Sequence, residues 1–249
     1  MTKPITIEDV KVFVVQTHGP GMRFIVVKVI TSEPGLYGLG CATFTQRYAA
    51  VVGALEHHVI PFVKGRDVSR IEEIFQMNLV NGYWRNGPVL NNAISGIDQA
   101  LWDIKGKALG VPVYTLLGGL ARDRVVCYPH TGAGDSRDPQ SLVEACLRAK
   151  EESWKFVRFS VGYADNVLEP RRAVLDTIRR FRAVREAVGD EMEIVFDVHT
   201  RLDLPDALWL CEEVKPFRPF FMEDPLRSED PESYRMLRLR TELCRSCSR

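Results

Sequence analysis

Hydrophobic and polar positions follow two different rhythms along the chain, and the first covers residues 1–120. Runs rich in Val and Ile, separated by Gly-Pro turns, predict strands at 5–16, 22–31 and 37–43. Apolar residues at helical spacing then predict helices near 48–60, 71–81 and 89–109, the last with a broad apolar stripe. Strands followed by helices indicate an α+β unit.

The second rhythm begins after residue 119. Short, nearly continuous apolar runs alternate with helical patterns, so that strands are predicted at 125–130, 156–161, 193–199 and 220–223, and helices near 139–152, 170–188, 205–214 and 231–239. The strands begin about 30 residues apart, which is the length of one β/α unit and predicts a parallel sheet.

The length of this second part limits the architecture. A closed eight-unit barrel takes about 250 residues, whereas residues 121–240 hold about four β/α units. We therefore expect either a small open α/β sheet or the first four units of a TIM-like barrel. Residues 241–249 show no strand pattern where another strand is due. This favours the partial barrel, with a tail foreign to it, in a truncated or frame-shifted chain.

Composition excludes several classes of protein. Lys+Arg and Asp+Glu are both 33, so the net charge is zero. The chain therefore lacks the excess of positive charge that would attract it to nucleic acids or acidic membranes. No apolar run approaches the length of a membrane span, and no signal peptide is visible. Six cysteines without framework spacing indicate reduced thiols. We expect a cytoplasmic protein with neither nucleic-acid nor membrane partners.

Candidate chemistry lies at the carboxyl ends of two predicted strands. Alternation along the strand places Asp197 and His199 on one face, and Glu223 ends the next strand. Clustered carboxylates suit Mg²⁺, and the carboxyl ends of barrel strands carry active sites. The alternative is that such acids cap helices or pair with an arginine such as Arg201.

Two further strands carry polar residues on one face. Arg158 and Ser160 alternate with apolar neighbours, and Tyr128 and His130 share a face in the preceding predicted strand. A cation on a buried face needs an anion. Arg158 would therefore meet either a substrate anion or a neighbouring strand-end acid, and the pattern alone leaves both open.

Longer motifs carry a family resemblance. The run AISGIDQALWDIKGKALGVPVYTLLGG (93–119) resembles the signature of the mandelate racemase/muconate lactonizing group of the enolase superfamily, and FDVH and FFMEDP resemble its metal-ligand strands. VNGYWRNGP (80–88) and FDVHTRL (196–202) are similar to the mannonate dehydratase-like sugar-acid dehydratases. The resemblance implies an α+β capping domain over an α/β barrel.

The same resemblance implies roles for individual residues. Asp197 and Glu223 match the first two Mg²⁺ ligands, while the third acid is absent from this sequence. The other matches are His199 as the general acid, Arg158 as the arginine beside a tyrosine base, and His130 as a substrate-binding histidine. The family tyrosine is represented by Tyr163, displaced in a shorter loop, and a substrate-binding asparagine is replaced by Thr45.

The activity implied is that of a hydro-lyase. It would dehydrate a mannonate- or gluconate-like aldonate to a 2-keto-3-deoxy acid through an enediolate, in a homo-oligomeric full-length parent. Without the third acid, we do not expect turnover by the 249-residue chain alone. A racemase or cycloisomerase is disfavoured because the lysine pair of the wider group is replaced by Arg158 and Ser160. A non-catalytic fragment is the remaining alternative.

Overall fold

A computed structural model describes residues 3–16, 22–131, 138–161, 169–241 and 243. The chain divides into two compact units, Met1–Asp123 and Arg124–Arg249. In the part of the chain that is described, no helix has both the length and the apolar character needed to cross a membrane.

The first unit is an antiparallel sheet with helices. Its strands β1 (Ile7–Gln16), β2 (Arg23–Thr31) and β3 (Tyr37–Cys41) pair in the order β1-β2-β3. The helices that follow are α1 (Tyr48–Ala54), continued through a π-helical turn (Leu55–Val59) into α2 (Ile60–Val63), then α3 (Ile71–Val80), α4 (Pro88–Leu109) and α5 (Val113–Leu116). The strands-first pattern is therefore present, and α4 carries the predicted apolar stripe into the core.

Glycines let α4 approach β3 closely. A Cβ atom on Gly40 would fall on the carbonyl oxygen of Gly96, and one on Gly38 would fall on the carbonyl oxygen of Ala100. Ile97, Ala100 and Ile104 of α4 are buried in the same core. The helix backbone thus lies directly on the strand, and the contact leaves no room for a side chain.

The second unit repeats β/α units. In chain order it contains α6 (Pro139–Glu151), β4 (Phe156–Ser160), α7 (Pro170–Val188), β5 (Glu193–Asp197), α8 (Leu204–Val214), β6 (Phe221–Glu223) and α9 (Pro231–Arg240). The three strands are parallel in the order β4-β5-β6. Asp138 caps α6 and Asp230 caps α9, each accepting backbone N–H bonds of the first turn.

The two faces of this parallel sheet have different roles. Phe159 and Phe196 point to the helices, where their ring centroids lie 5.5 and 6.0 Å from that of Phe181 of α7. Because side chains alternate along a strand, the residues next to Phe159 in β4 and next to Phe196 in β5 point to the opposite face. That face carries Arg158 of β4 and Asp197 of β5.

The predicted strand at 125–130 is wrong. These residues have no regular structure, and Val125 and Val126 are largely exposed. The backbone bond to β4 comes from the next residue, Thr131, which donates its N–H to the Arg158 carbonyl at 2.9 Å. Pro129 has no N–H to give to a strand ladder, which explains why an apolar run forms no strand here. The other predicted strands are present but shorter.

The contact between β3 and α4 yields a stability test. Gly40→Ala forces a methyl group into backbone, so we expect unfolding to become easier by about 1–3 kcal/mol or more. Gly53→Ala is the matched control, because Gly53 lies in α1 and its Cβ would meet nothing within 4 Å. Alanine is the better helix former, so the control is expected to be neutral or stabilising. Equal urea midpoints for the two variants would contradict this packing.

Two aspartates of the first unit predict opposite pH effects. Burial, and then the charge of Glu72, raises the pKa of Asp98 above its usual 3.8, so the stability that Asp98 contributes below that pH is lost as pH rises. A hydrogen bond from Lys64 lowers the pKa of Asp9, so its contribution is present above 3.8 and lost as pH falls. At neutral pH, Asp98→Asn should therefore stabilise and Asp9→Asn destabilise. Both differences should shrink well below pH 3.8 in urea titrations, and pH-independent differences would contradict the assignment.

Candidate active site

The candidate site is built on the ends of three parallel strands. Asp197 is the last residue of β5 and Glu223 the last residue of β6, and the two are register partners across the sheet. Ser160, the last residue of β4, is the register partner of Asp197 on its other side. The parallel register therefore brings the two carboxylates, 26 positions apart in the chain, to the same edge.

The guanidinium of Arg158 joins the two carboxylates. Its Nη2 donates to Asp197 Oδ2, and its Nε donates to Glu223 Oε2 at 2.9 Å. The Arg158 side chain is 6% exposed and that of Asp197 is 1% exposed. Charge-assisted bonds at such burial are strong, and each partner would be costly to leave unpaired. In the structure, Arg158 therefore pairs with the neighbouring strand-end acids, which is one of the two alternatives that the sequence pattern leaves open.

The segment before the second unit's first strand holds Arg158 in place. The Arg158 N–H donates to Thr131 Oγ1 at 3.0 Å, and the Thr131 N–H donates to the Arg158 carbonyl. The remaining guanidinium nitrogen, Nη1, donates to His130 Nδ1 at 2.7 Å. Because a guanidinium only donates, the accepting nitrogen of His130 carries no proton.

His199 contacts Asp197 through a turn and not through strand alternation. β5 ends at Asp197, and His199 and Thr200 have positive φ angles of 55° and 57°. The turn brings the His199 N–H to Asp197 Oδ1 at 2.8 Å and His199 Nε2 to Asp197 Oδ2 at 2.7 Å. The His199 side chain is 48% exposed, so its ring is held by a buried carboxylate and open to a ligand.

Negative charge is concentrated at this edge. Burial, followed by repulsion from Asp197 and Glu223, raises the pKa of Asp224. Burial, followed by the charge of Glu223, raises the pKa of Tyr128. Arg158 lowers both pKa values, but less than the carboxylates raise them. The site therefore still favours added positive charge.

Asp197 and Glu223 are the residues that could hold a metal ion. Mg²⁺ is usually bound by one or two protein carboxylates, with water and substrate oxygens completing its shell. The pair and the surplus negative charge fit a partial Mg²⁺ site. No group of three His, Cys, Asp or Glu side chains within the described ranges is arranged to hold an ion.

The remaining predicted site residues are not tested by this arrangement. Tyr163 lies outside the described residues. Thr45 belongs to the first unit, where it begins a 3-10 helix (Thr45–Arg47) and its hydroxyl donates to Gln46 Oε1 at 2.9 Å.

Sequence reasoning missed the functions of Thr131 and Asp224. Thr131 fixes the Arg158 backbone, and no motif marks such a bond. Asp224 does not cap the next helix along the chain, because α9 begins later and is capped by Asp230. Instead, the Asp224 carbonyl accepts from the Thr200 N–H at 2.8 Å and joins the two strand-end turns. Its position next to Glu223 was the available signal.

These strand-end acids on a β/α unit, preceded by an α+β unit, define the class of protein. Residues 7–118 match the mandelate racemase / muconate lactonizing enzyme N-terminal domain, and residues 141–245 match the enolase C-terminal domain-like family. The chain therefore belongs to the mandelate racemase/muconate lactonizing enzyme group of the enolase superfamily, as its motifs predicted. Its fold is an N-terminal capping domain plus a C-terminal barrel-like domain.

Individual relatives narrow the comparison to dehydratases. The chain is 44% identical over 257 residues to a D-galactonate dehydratase family member of Enterocloster bolteae, covering 95% of this chain and 62% of that protein. A family member of Enterococcus gallinarum is 40% identical, with 98% and 63% covered. A crystal structure of an enolase from Pantoea ananatis, with bound D-gluconate and Mg, matches at 37% identity and a TM-score of 0.83, covering 96% of this chain and 64% of that one. The chain thus spans about three fifths of these relatives.

The bond between Thr131 and Arg158 can be tested with a matched threonine. Thr131→Val leaves the buried Arg158 N–H without its acceptor, which should cost about 1–3 kcal/mol of unfolding free energy. Thr177 of α7 is the control, because its buried hydroxyl has no hydrogen-bond partner among the described residues. Thr177→Val should therefore be neutral or stabilising. An equal loss in both variants, measured by urea unfolding, would contradict the proposed bond.

Proposed function

We propose that this chain forms part of the active site of a Mg²⁺-dependent sugar-acid dehydratase, a hydro-lyase of the mannonate dehydratase-like type. The observation that carries the proposal is the register of Asp197 with Glu223. It brings two carboxylates together at the strand ends, where both contact the guanidinium of Arg158. The dehydratase relatives, and the D-gluconate and Mg bound to the Pantoea structure, support an aldonate substrate and Mg²⁺. A mannonate- or gluconate-like acid would be the substrate.

The reaction removes one molecule of water. A base takes the proton α to the carboxylate, giving an enediolate; the bond from carbon 3 to its hydroxyl then breaks, and the enol product becomes a 2-keto-3-deoxy acid. Asp197 and Glu223 would hold Mg²⁺, whose positive charge offsets the second negative charge that develops on the substrate carboxylate. Tyr163 is proposed as the base.

His199 is suited to protonate the departing hydroxyl. A carboxylate only accepts hydrogen bonds, so the contact of His199 Nε2 with Asp197 Oδ2 places a proton on Nε2. Because the Nε2 proton is bonded to Asp197, the proton that His199 would give to the leaving oxygen is one carried on Nδ1 of the half-exposed ring. His130 and Thr45 are proposed to bind the substrate, and Arg158 to act beside the base.

The finer architecture is also proposed. Residues 1–120 would form the capping domain, residues 121–240 about the first four β/α units of a TIM barrel, and residues 241–249 a tail outside it. The bond between the Thr131 N–H and the Arg158 carbonyl supports the fourth unit, because Thr131 lies beside β4 where a further strand would pair. The assembled enzyme is proposed to be a cytoplasmic homo-oligomer.

Turnover of aldonates tests the proposed function. The 249-residue chain would be assayed alone, and fused to the part of the Enterocloster relative that it does not span, for 2-keto-3-deoxy acid formed from D-gluconate, D-mannonate and D-galactonate. We expect Mg²⁺-dependent turnover by the fusion that EDTA abolishes, and none by the chain alone. Asp197→Asn in the fusion should abolish turnover because it removes a ligand charge.

Asp190→Asn is the matched control for this experiment. Asp190 is an exposed aspartate of the same unit that pairs with Arg218, so the same substitution should leave turnover unchanged. Turnover that persists in EDTA, or in Asp197→Asn, would overturn the proposed function. Racemisation of a sugar acid without water loss would favour the racemase alternative.

A further inference from the structure

We infer that Arg158 is an internal counter-ion that competes with a divalent ion for Asp197 and Glu223. Binding of the ion then requires the guanidinium to leave both carboxylates. This inference rests on the proposed function, which makes the two acids metal ligands, and it adds a property of Arg158 that the proposed reaction does not include.

Without a metal ion, the guanidinium of Arg158 balances the charges of the two carboxylates. Asp197 is almost fully buried, and a buried carboxylate without a partner destabilises a fold strongly. Arg158 supplies that partner from the neighbouring strand and reaches Glu223 with the same group. One cation thus pairs with both acids and holds them close together.

The carboxylate oxygens that a metal ion would use already accept hydrogen bonds from the protein. Asp197 Oδ2 accepts from Arg158 and from His199 Nε2, and Asp197 Oδ1 accepts from the His199 backbone N–H. Glu223 Oε2 accepts from Arg158 Nε. Mg²⁺ takes carboxylate oxygens at about 2.0–2.1 Å. A guanidinium in contact with the same oxygens occupies that space and repels a divalent charge.

Binding of the ion requires the guanidinium of Arg158 to move while its backbone stays in place. The Arg158 backbone is fixed by two hydrogen bonds with Thr131, so release occurs by rotation of the side chain. The contact of Nη1 with His130 is the one that does not involve a carboxylate. A released guanidinium carries an unpaired positive charge, which the carboxylate of a sugar acid would pair. Ion and sugar acid would then each strengthen the binding of the other.

Binding of Mg²⁺ alone, without turnover, tests the competition. Isothermal titration with MgCl₂ would compare the wild-type 249-residue chain with Arg158→Met, which keeps much of the side-chain volume and removes the charge. We expect the variant to bind Mg²⁺ about tenfold more tightly, because charge-assisted bonds no longer have to be broken. Its unfolding midpoint should be lower without Mg²⁺ and should rise more steeply when Mg²⁺ is added.

A second substitution protects the test if Arg158→Met does not fold without Mg²⁺. Arg158→Lys keeps the charge but loses the planar fork, so a lysine pairs with one carboxylate at a time. Its affinity for Mg²⁺ should be higher than that of the wild-type chain. Where Arg158→Met folds, the affinity of Arg158→Lys should also be lower than that of Arg158→Met.

Two controls separate competition from general destabilisation. Arg185 lies in the same unit and donates to the backbone carbonyls of Phe217 and Met192, away from the carboxylate pair. Arg185→Met should lower stability and leave the Mg²⁺ affinity unchanged. Asp197→Asn should remove Mg²⁺ binding.

The possible results distinguish the inference from the proposed function. Equal or weaker Mg²⁺ binding by the folded Arg158 variants, with binding still lost in Asp197→Asn, overturns the competition and leaves the metal site standing. Binding that is unaffected by Asp197→Asn, or absent from every protein at millimolar Mg²⁺, overturns the metal site and the competition together. Tighter binding by an Arg158 variant and not by Arg185→Met supports the inference.

Discussion

One buried ion pair, Arg158 with Asp197, constrains the rest of the second unit. Both side chains are almost fully removed from water, so either charge would be costly to leave without a partner. The parallel register holds β4 beside β5 with Ser160 opposite Asp197, and the helices cover the face that carries Phe159 and Phe196. The apolar packing of Phe159, Phe181 and Phe196 supplies that cover.

Much of this architecture follows from the sequence because the signals are local. The helix at 170–188 was predicted with the bounds that the structure has, since Pro170 fits a first helical position and Gly189 ends the helix. The run at 125–130 had the same apolar character as the true strands, but a strand also needs partners for its backbone groups. Pro129 is visible in the sequence, but the lack of a ladder beyond Thr131 in the described part of the chain is a property of tertiary pairing.

At the candidate site, the sequence pattern indicates which strand-end residues share an edge of the sheet and not which contacts they make. Period-two alternation places Arg158 and Asp197 on one face of the sheet, and the β/α repeat brings Glu223 to the same edge. Alternation does not say what fills the space between them. His199 illustrates the limit: its contact with Asp197 depends on two successive residues of positive φ, which lie outside any strand pattern. Thr131 likewise acts through a bond to backbone that no side-chain spacing reveals.

The distance between strands explains why an arginine occupies position 158. Neighbouring strands lie about 4.8 Å apart, so Glu223 on β6 is two strand spacings from β4, while Asp197 is only one away. Arginine has both the reach and a planar fork whose nitrogens donate in different directions, and here Nη2 and Nε serve the two acids separately. A lysine ammonium, which the resemblance to the wider group implies at this strand, is a compact point charge and offers no rigid, planar set of donors for acids on two strands. The arginine therefore serves first to balance the buried charge of Asp197 and to hold Glu223 beside it.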